Sequence, residues 1–185
     1  MFANKLIARA MEYAAQAHQG DTRKGGEVPY IVHPFEVAMI LKENAFADQI
    51  VAAGLLHDLL EDTEVGREDL KREFGVGILE LVLAASEKLE GRDERSWDKR
   101  KNQTIKYLKE EAAFINKAVA CADKLSNARS ILRDLEAEPE DFWQRFSAPK
   151  SKQKWYYQSL VESLKELEGL KMYAEFKEVV AEIFK

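Results

Sequence analysis

The chain has 185 residues, 46% of them hydrophobic and 33% charged, with 28 Lys and Arg against 33 Asp and Glu for a formal net charge of −5. That length and composition suit a single globular domain over residues 1–185; no apolar run approaches the roughly 18–20 residues of a membrane span, and the acidic balance lacks the basic patch of a nucleic-acid binder. The one cysteine, Cys121, permits no intrachain disulfide and, with no secretion signal at Met1 to Lys5, points to the cytoplasm.

Helical periodicity dominates from the start. From about Asn4 to His18, Leu6, Ala10, Tyr13 and Ala17 share a stripe, and Gly20 closes the segment. A polar, Gly-rich loop follows from Asp21 to His33. Pro34 takes a first-turn position and opens a helix carrying Phe35, Val37, Ala38, Ile40 and Leu41. His33, just before this proline, is expected to be extended and to project from the loop. By itself it reads as a capping or surface residue.

A third helix is predicted from about Asp48 to Leu60. Apolar nearly all round at first, it then carries His57, Asp58, Glu61 and Asp62. Residues four apart share a helix face, so His57 lies below Glu61 and Asp58 below Asp62. Charges buried in such a helix are costly unless paired, and a bound cation is the economical partner. Glu61 and Asp62 also fit a helix end that surfaces into solvent.

Arg67 to Phe74 forms a short helix stopped by Gly75, and another runs from Val76 to about Leu89. Ser96 is a plausible N-cap for a helix reaching Glu111, whose Lys99-Arg100-Lys101 run reads as a solvated face. Ile115 to Leu135 is helical, with small apolar residues leading to Asp123 and Asn127 one turn later. The small residues suggest a buried carboxylate; pairing with a nearby Lys or Arg is the alternative. Pro139 and Pro149 fit first turns of two further helices, and the last runs from Leu170 to Phe184. Trp143, Trp155, Tyr156 and Tyr157 read as packing aromatics, or failing that as an interface. The expected fold is all-α, one compact bundle of about ten helices.

Two histidines and two aspartates, His33, His57, Asp58 and Asp123, form a mixed nitrogen and oxygen set that suits Mn²⁺, Fe²⁺ or Zn²⁺ better than Ca²⁺. Four segments then carry a resemblance: His18-Gln19-Gly20, Arg23 to Pro34 (RKGGEVPYIVHP), Ala52 to Thr63 (AAGLLHDLLEDT) and Ala122 to Arg129 (ADKLSNAR). In this order they closely resemble the RelA/SpoT-type HD-domain alarmone hydrolases, most of all the stand-alone small alarmone hydrolase branch. The resemblance covers roughly Leu6 to Leu135.

What it implies is a helical HD fold holding one Mn²⁺ through His33, His57, Asp58 and Asp123. The implied reaction removes pyrophosphate from the 3′ position of guanosine tetra- and pentaphosphate (ppGpp and pppGpp). Glu61 and Asp62 would activate or position the attacking water, and Arg23, Lys24, Lys124 and Asn127 would contact the nucleotide, a small-molecule partner. His18 belongs to a matching motif, yet its place at a helix end reads as structural. Gly25 stands where many relatives carry serine, and Ser126, Ala128 and Ser130 replace bulkier residues. These departures spare the metal set and bear on base recognition. Two other functions stay open: an HD phosphohydrolase acting on another nucleotide, such as a phosphorylated dinucleotide cofactor or a deoxynucleotide, and a non-catalytic nucleotide sensor.

Overall fold

Asn4 starts the first helix by accepting, through its side-chain oxygen, the N–H groups of Leu6 and Ile7 at 2.9 and 3.3 Å, which have no acceptor inside the helix. The computed structural model describes residues 4–23, 26–85, 96–137 and 142–185. In chain order its helices are α1 (Lys5–Ala17), α2 (Val32–Glu43), α3 (Asp48–Leu56), α4 (Leu59–Asp62) and α5 (Arg67–Phe74). They continue as α6 (Val76–Ala85), α7 (Trp97–Glu110), α8 (Phe114–Ala137), α9 (Lys150–Ser163) and α10 (Lys171–Ile183), with 3₁₀ turns at Phe142–Arg145 and Lys165–Leu167. The fold is all-α; the described residues hold only one isolated β-bridge, between Thr22 and Pro29. None of their helices is long and apolar enough to cross a membrane.

The core is built around α3 and α8. All six residues from Val51 to Leu56 are buried, because α3 is surrounded by α1, α2, α6 and α8; a helix apolar all round has no face left for water. The α8 helix buries Ala118, Val119, Cys121, Ala122, Leu125 and Ala128 against α2, α3, α6 and α10. Its small side chains let these neighbours approach closely. The α7 helix packs instead on α9. Tyr156 and Tyr157 are buried and Trp143 stacks on Phe184, whereas Trp155 is 39% exposed. In the basic run of α7 only Lys99 is exposed; Lys101 holds its ammonium 5.0 Å above the Tyr156 ring.

Two local features depart from the sequence reading. First, α2 begins at Val32, so His33 stands in the first helical turn and not in an extended loop. The N–H that Pro34 lacks would have no helical acceptor there, so proline costs nothing in that turn; backbone bonds from Val32 and His33 to Pro29 and Tyr30 at 3.2 and 2.9 Å wind the chain into it. Second, the helix expected from Asp48 to Leu60 is interrupted. It breaks at His57-Asp58, and α4 restarts with the N–H groups of both Glu61 and Asp62 on the Asp58 carbonyl, at 2.9 and 3.0 Å. The predicted continuation of α6 to Leu89 and the helix start at Pro139 lie outside the described residues.

Candidate metal centre

Two helices and the break between two others aim side chains at a common point. His33 comes from the first turn of α2, His57 and Asp58 from the break between α3 and α4, and Asp123 from the middle of α8. His33 Nε2 lies 3.4 Å from Asp58 Oδ2 and 3.3 Å from Asp123 Oδ1. His57 Nε2 lies 2.9 Å from Asp58 Oδ1 and 3.9 Å from Asp123 Oδ1. One ligand atom from each of His33, His57 and Asp58 falls within 4.8 Å of the others. Ligand atoms about 2.0–2.2 Å from one ion sit about 3–3.5 Å from each other, so the spacing suits a single transition-metal ion.

Both imidazoles are held by their other nitrogen. His57 Nδ1 meets the Gly54 carbonyl at 2.9 Å and His33 Nδ1 meets Ser126 Oγ at 2.9 Å. A nitrogen that donates to a carbonyl leaves its partner Nε2 as the lone-pair donor a metal needs. The donor set and its orientation therefore fit a divalent ion.

Charge balance shapes the rest. Burial alone would lower the His57 pKa, but Asp58 and Asp123 outweigh it and hold the imidazole well above its ordinary value. Burial would raise both aspartates; against it, His57 and His33 pull Asp58 far below the usual carboxylate range, and Lys124, with the same two histidines, does so for Asp123. Lys124 meets Asp123 Oδ2 at 2.5 Å. Asn127 donates to Asp123 Oδ1 at 2.6 Å and accepts from Arg23 at 3.0 Å. Two residues expected to contact substrate are thus braced against a metal-site carboxylate. Lys24 lies outside the described residues.

Glu61 and Asp62 stand on α4, beside the cluster and partly exposed or exposed. Asp62 is drawn in by a residue that sequence reasoning assigned no role: the Tyr30 hydroxyl lies 2.7 Å from Asp58 Oδ2 and 3.0 Å from Asp62 Oδ2. Burial and then the Asp58 charge raise the Tyr30 pKa far above normal, so it stays a donor. His18, 3% exposed, packs its ring 4.6 Å from the Tyr30 ring, in keeping with a structural part. A cavity of about 230 Å³ opens beside His33, lined by Arg23, Val28, Val32, Glu36, Arg133 and Arg145 among others. Its wall carries three arginines against two carboxylates, Glu36 and Asp134, beside apolar side chains, and a guanidinium there can pair with phosphate or stack on a ring.

An all-helical scaffold that brings histidines and aspartates from α2, the α3–α4 break and α8 to one point defines a candidate divalent-metal centre. The family model described as HD domain matches residues 10–151, and the chain belongs to that family. Among named relatives, the GTP pyrophosphokinase of Streptomyces coelicolor is 34% identical over 139 residues, covering 74% of this chain and 16% of the relative. The guanosine-3′,5′-bis(diphosphate) 3′-pyrophosphohydrolase of Vibrio cholerae is 35% identical over 135 residues, covering 72% of this chain and 18% of the relative. The chain thus spans less than a fifth of the length of these two curated relatives. Solved structures match over far more of their own length. A protein of Listeria monocytogenes EGD-e superposes with a TM-score of 0.74 at 33% identity, covering 82% of this chain and 98% of its own. A metazoan ortholog of SpoT, described as hydrolysing ppGpp, gives a TM-score of 0.78 at 25% identity, covering 98% and 97%.

Proposed function

We propose that this protein hydrolyses guanosine 3′,5′-bis(diphosphate) and its pentaphosphate analogue to GDP or GTP plus pyrophosphate, using Mn²⁺ held by His33, His57, Asp58 and Asp123. The observation that carries the reading is the convergence of those four side chains beside Glu61, Asp62 and an arginine-lined cavity. The likeness to a ppGpp-hydrolysing protein over nearly the whole of both chains supports the nucleotide. His33, His57, Asp58 and Asp123 would hold a divalent ion, which would supply Lewis-acid polarisation of a phosphoryl group and a water of lowered pKa.

The residues divide the remaining work. Arg23, 5.9 Å from the Tyr30 ring centroid and on the cavity wall, offers a planar cation that stacks on a purine and pairs with phosphate. Glu61 and Asp62 orient the attacking water and take its proton. The water oxygen bonds to the phosphorus attached at the ribose 3′ oxygen, the bond from phosphorus to that oxygen breaks, and the 3′ oxygen takes up the proton that the acidic pair removed from the water. Lys124 and Asn127 hold Asp123 in place.

Product analysis tests the reading. With Mn²⁺ present, ppGpp should give GDP and pyrophosphate in equal amounts, with the 5′ phosphates intact. Arg23→Ala should mainly raise KM, by about 10- to 150-fold for one lost charge-assisted contact. Release of orthophosphate alone, or turnover of a different nucleotide in preference, would leave an HD phosphohydrolase of another substrate class. Tight nucleotide binding without turnover would mark a sensor.

A further inference from the structure

We infer that Ser126 and Glu36 are positioning residues that fix which nitrogen of His33 faces the metal, through a one-way hydrogen-bond chain. The observation is a line of four contacts running away from the metal centre. His33 Nδ1 meets Ser126 Oγ at 2.9 Å, and Ser126 Oγ donates to Glu36 Oε2 at 2.8 Å. Arg129 donates to Glu36 Oε1 at 3.0 Å and, through Nε, to Glu175 Oε1 of α10 at 2.7 Å.

The direction follows from what each group can do. A guanidinium only donates and an ionised carboxylate only accepts. Glu36, with Arg129 on one oxygen, must therefore receive the single Ser126 hydrogen on the other. Having given that hydrogen away, Ser126 can only accept from His33, so the ring carries its proton on Nδ1. Nε2, 3.3–3.4 Å from the carboxylates of Asp123 and Asp58, is the nitrogen that then faces the ion site. His57 needs no such chain, because a backbone carbonyl, that of Gly54, already accepts from its Nδ1. For His33 the carbonyl three residues earlier, that of Tyr30, is taken by the His33 backbone N–H at 2.9 Å, and Nδ1 turns to Ser126 instead.

Ser126 is 1% exposed, and a bulkier side chain there would separate His33 from Glu36. Glu36 and Ser126 also line the cavity beside the metal centre, so the same pair forms part of the wall a ligand would touch.

The inference rests on the proposed metal site and not on the nucleotide, and its test uses the metal alone. Mn²⁺ affinity would be measured by titration calorimetry on the wild type, Ser126→Ala and Glu36→Gln. Both variants should bind about 10- to 100-fold more weakly, the usual effect of losing an outer-shell partner of a ligating histidine. Glu36→Gln is the sharper variant: it keeps size at a partly exposed position, yet its amide can donate to Ser126 and reverse the chain. In Zn²⁺-loaded wild type, nitrogen-correlated NMR should show a slowly exchanging proton on His33 Nδ1, and in Ser126→Ala that proton should exchange faster. Wild-type affinity in both variants, or His33 bound through Nδ1, would overturn the assignment. Failure of ppGpp turnover in a wild type that shows these metal effects would count against the nucleotide reading alone.

Discussion

Tyr30 sets one hydroxyl between the carboxylates of Asp58 and Asp62, to which the proposed mechanism gives two different tasks: the first to hold metal and the second to handle water. The single hydrogen is shared between them, and it keeps Asp62 turned inwards despite the like charge nearby. Tyr30→Phe should therefore retain metal while turnover falls about 10- to 150-fold, the loss expected for an orienting bond to a charged group worth about 1.5–3 kcal/mol. Asp58→Ala should behave differently and lose the metal, since it removes a ligand outright. Measuring metal content and turnover on both variants separates the roles; equal metal loss in the two would refute them. Nothing in the sequence singles out Tyr30, because its partners lie 28 and 32 residues further on. The contact between Ser126 and Glu36, 90 residues apart, was equally hidden. By contrast, His57-Asp58 inside an apolar run was conspicuous without coordinates, since buried charge in a helix demands a partner.

At the scale of the element, closeness of α3 to α2 decides where His57 sits. A Cβ on Gly54 would lie 2.6 Å from Leu41 Cδ1 and 3.3 Å from Val37 Cγ1. Leu41 and Val37 are both fully buried, so neither has free space to enter. Alanine would gain about 0.5–1 kcal/mol of helix propensity, but overpacking a filled core costs about 1–3 kcal/mol. Gly54→Ala should lower the melting temperature by several degrees and weaken metal binding as well, because the Gly54 carbonyl orients His57. A Tm at or above wild type would show that α2 can retreat freely. Most element boundaries were legible: the Asn4 cap, the Gly75 stop with φ of +82° and the Ser96 cap, whose hydroxyl accepts the Lys99 N–H at 3.3 Å, are all local signals. The break at His57-Asp58 was not, since local propensity there favours an unbroken helix. The turn bends the chain so that two adjacent side chains face one point, a demand that comes from the residues of α2 and α8 opposite.

For the molecule as a whole, the metal centre is where three core helices meet, so occupancy and stability are linked. Mn²⁺ at about 100 times its Kd would add about 2.7 kcal/mol to the unfolding free energy, or about 5–11 °C in Tm for a protein of this size; a chelator should remove that increment. Its pH dependence has a definite sign. In the metal-free protein the His57 pKa is held well above normal by Asp58 and Asp123 against the opposing effect of burial. That stabilisation is complete below the unfolded value of about 6.5 and fades as pH rises through the folded value. Asp58 and Asp123 are shifted down, so their contribution is already full above about pH 4 and changes little from pH 6 upwards. Metal must displace the His57 proton, so apparent affinity climbs with pH just as the metal-free protein loses stability. The Tm increment given by Mn²⁺ should accordingly grow between pH 6 and 8.5, and His57→Ala should abolish both the increment and its slope. A constant increment across that range in the wild type would mean that binding displaces no proton, and that His57 is not a ligand.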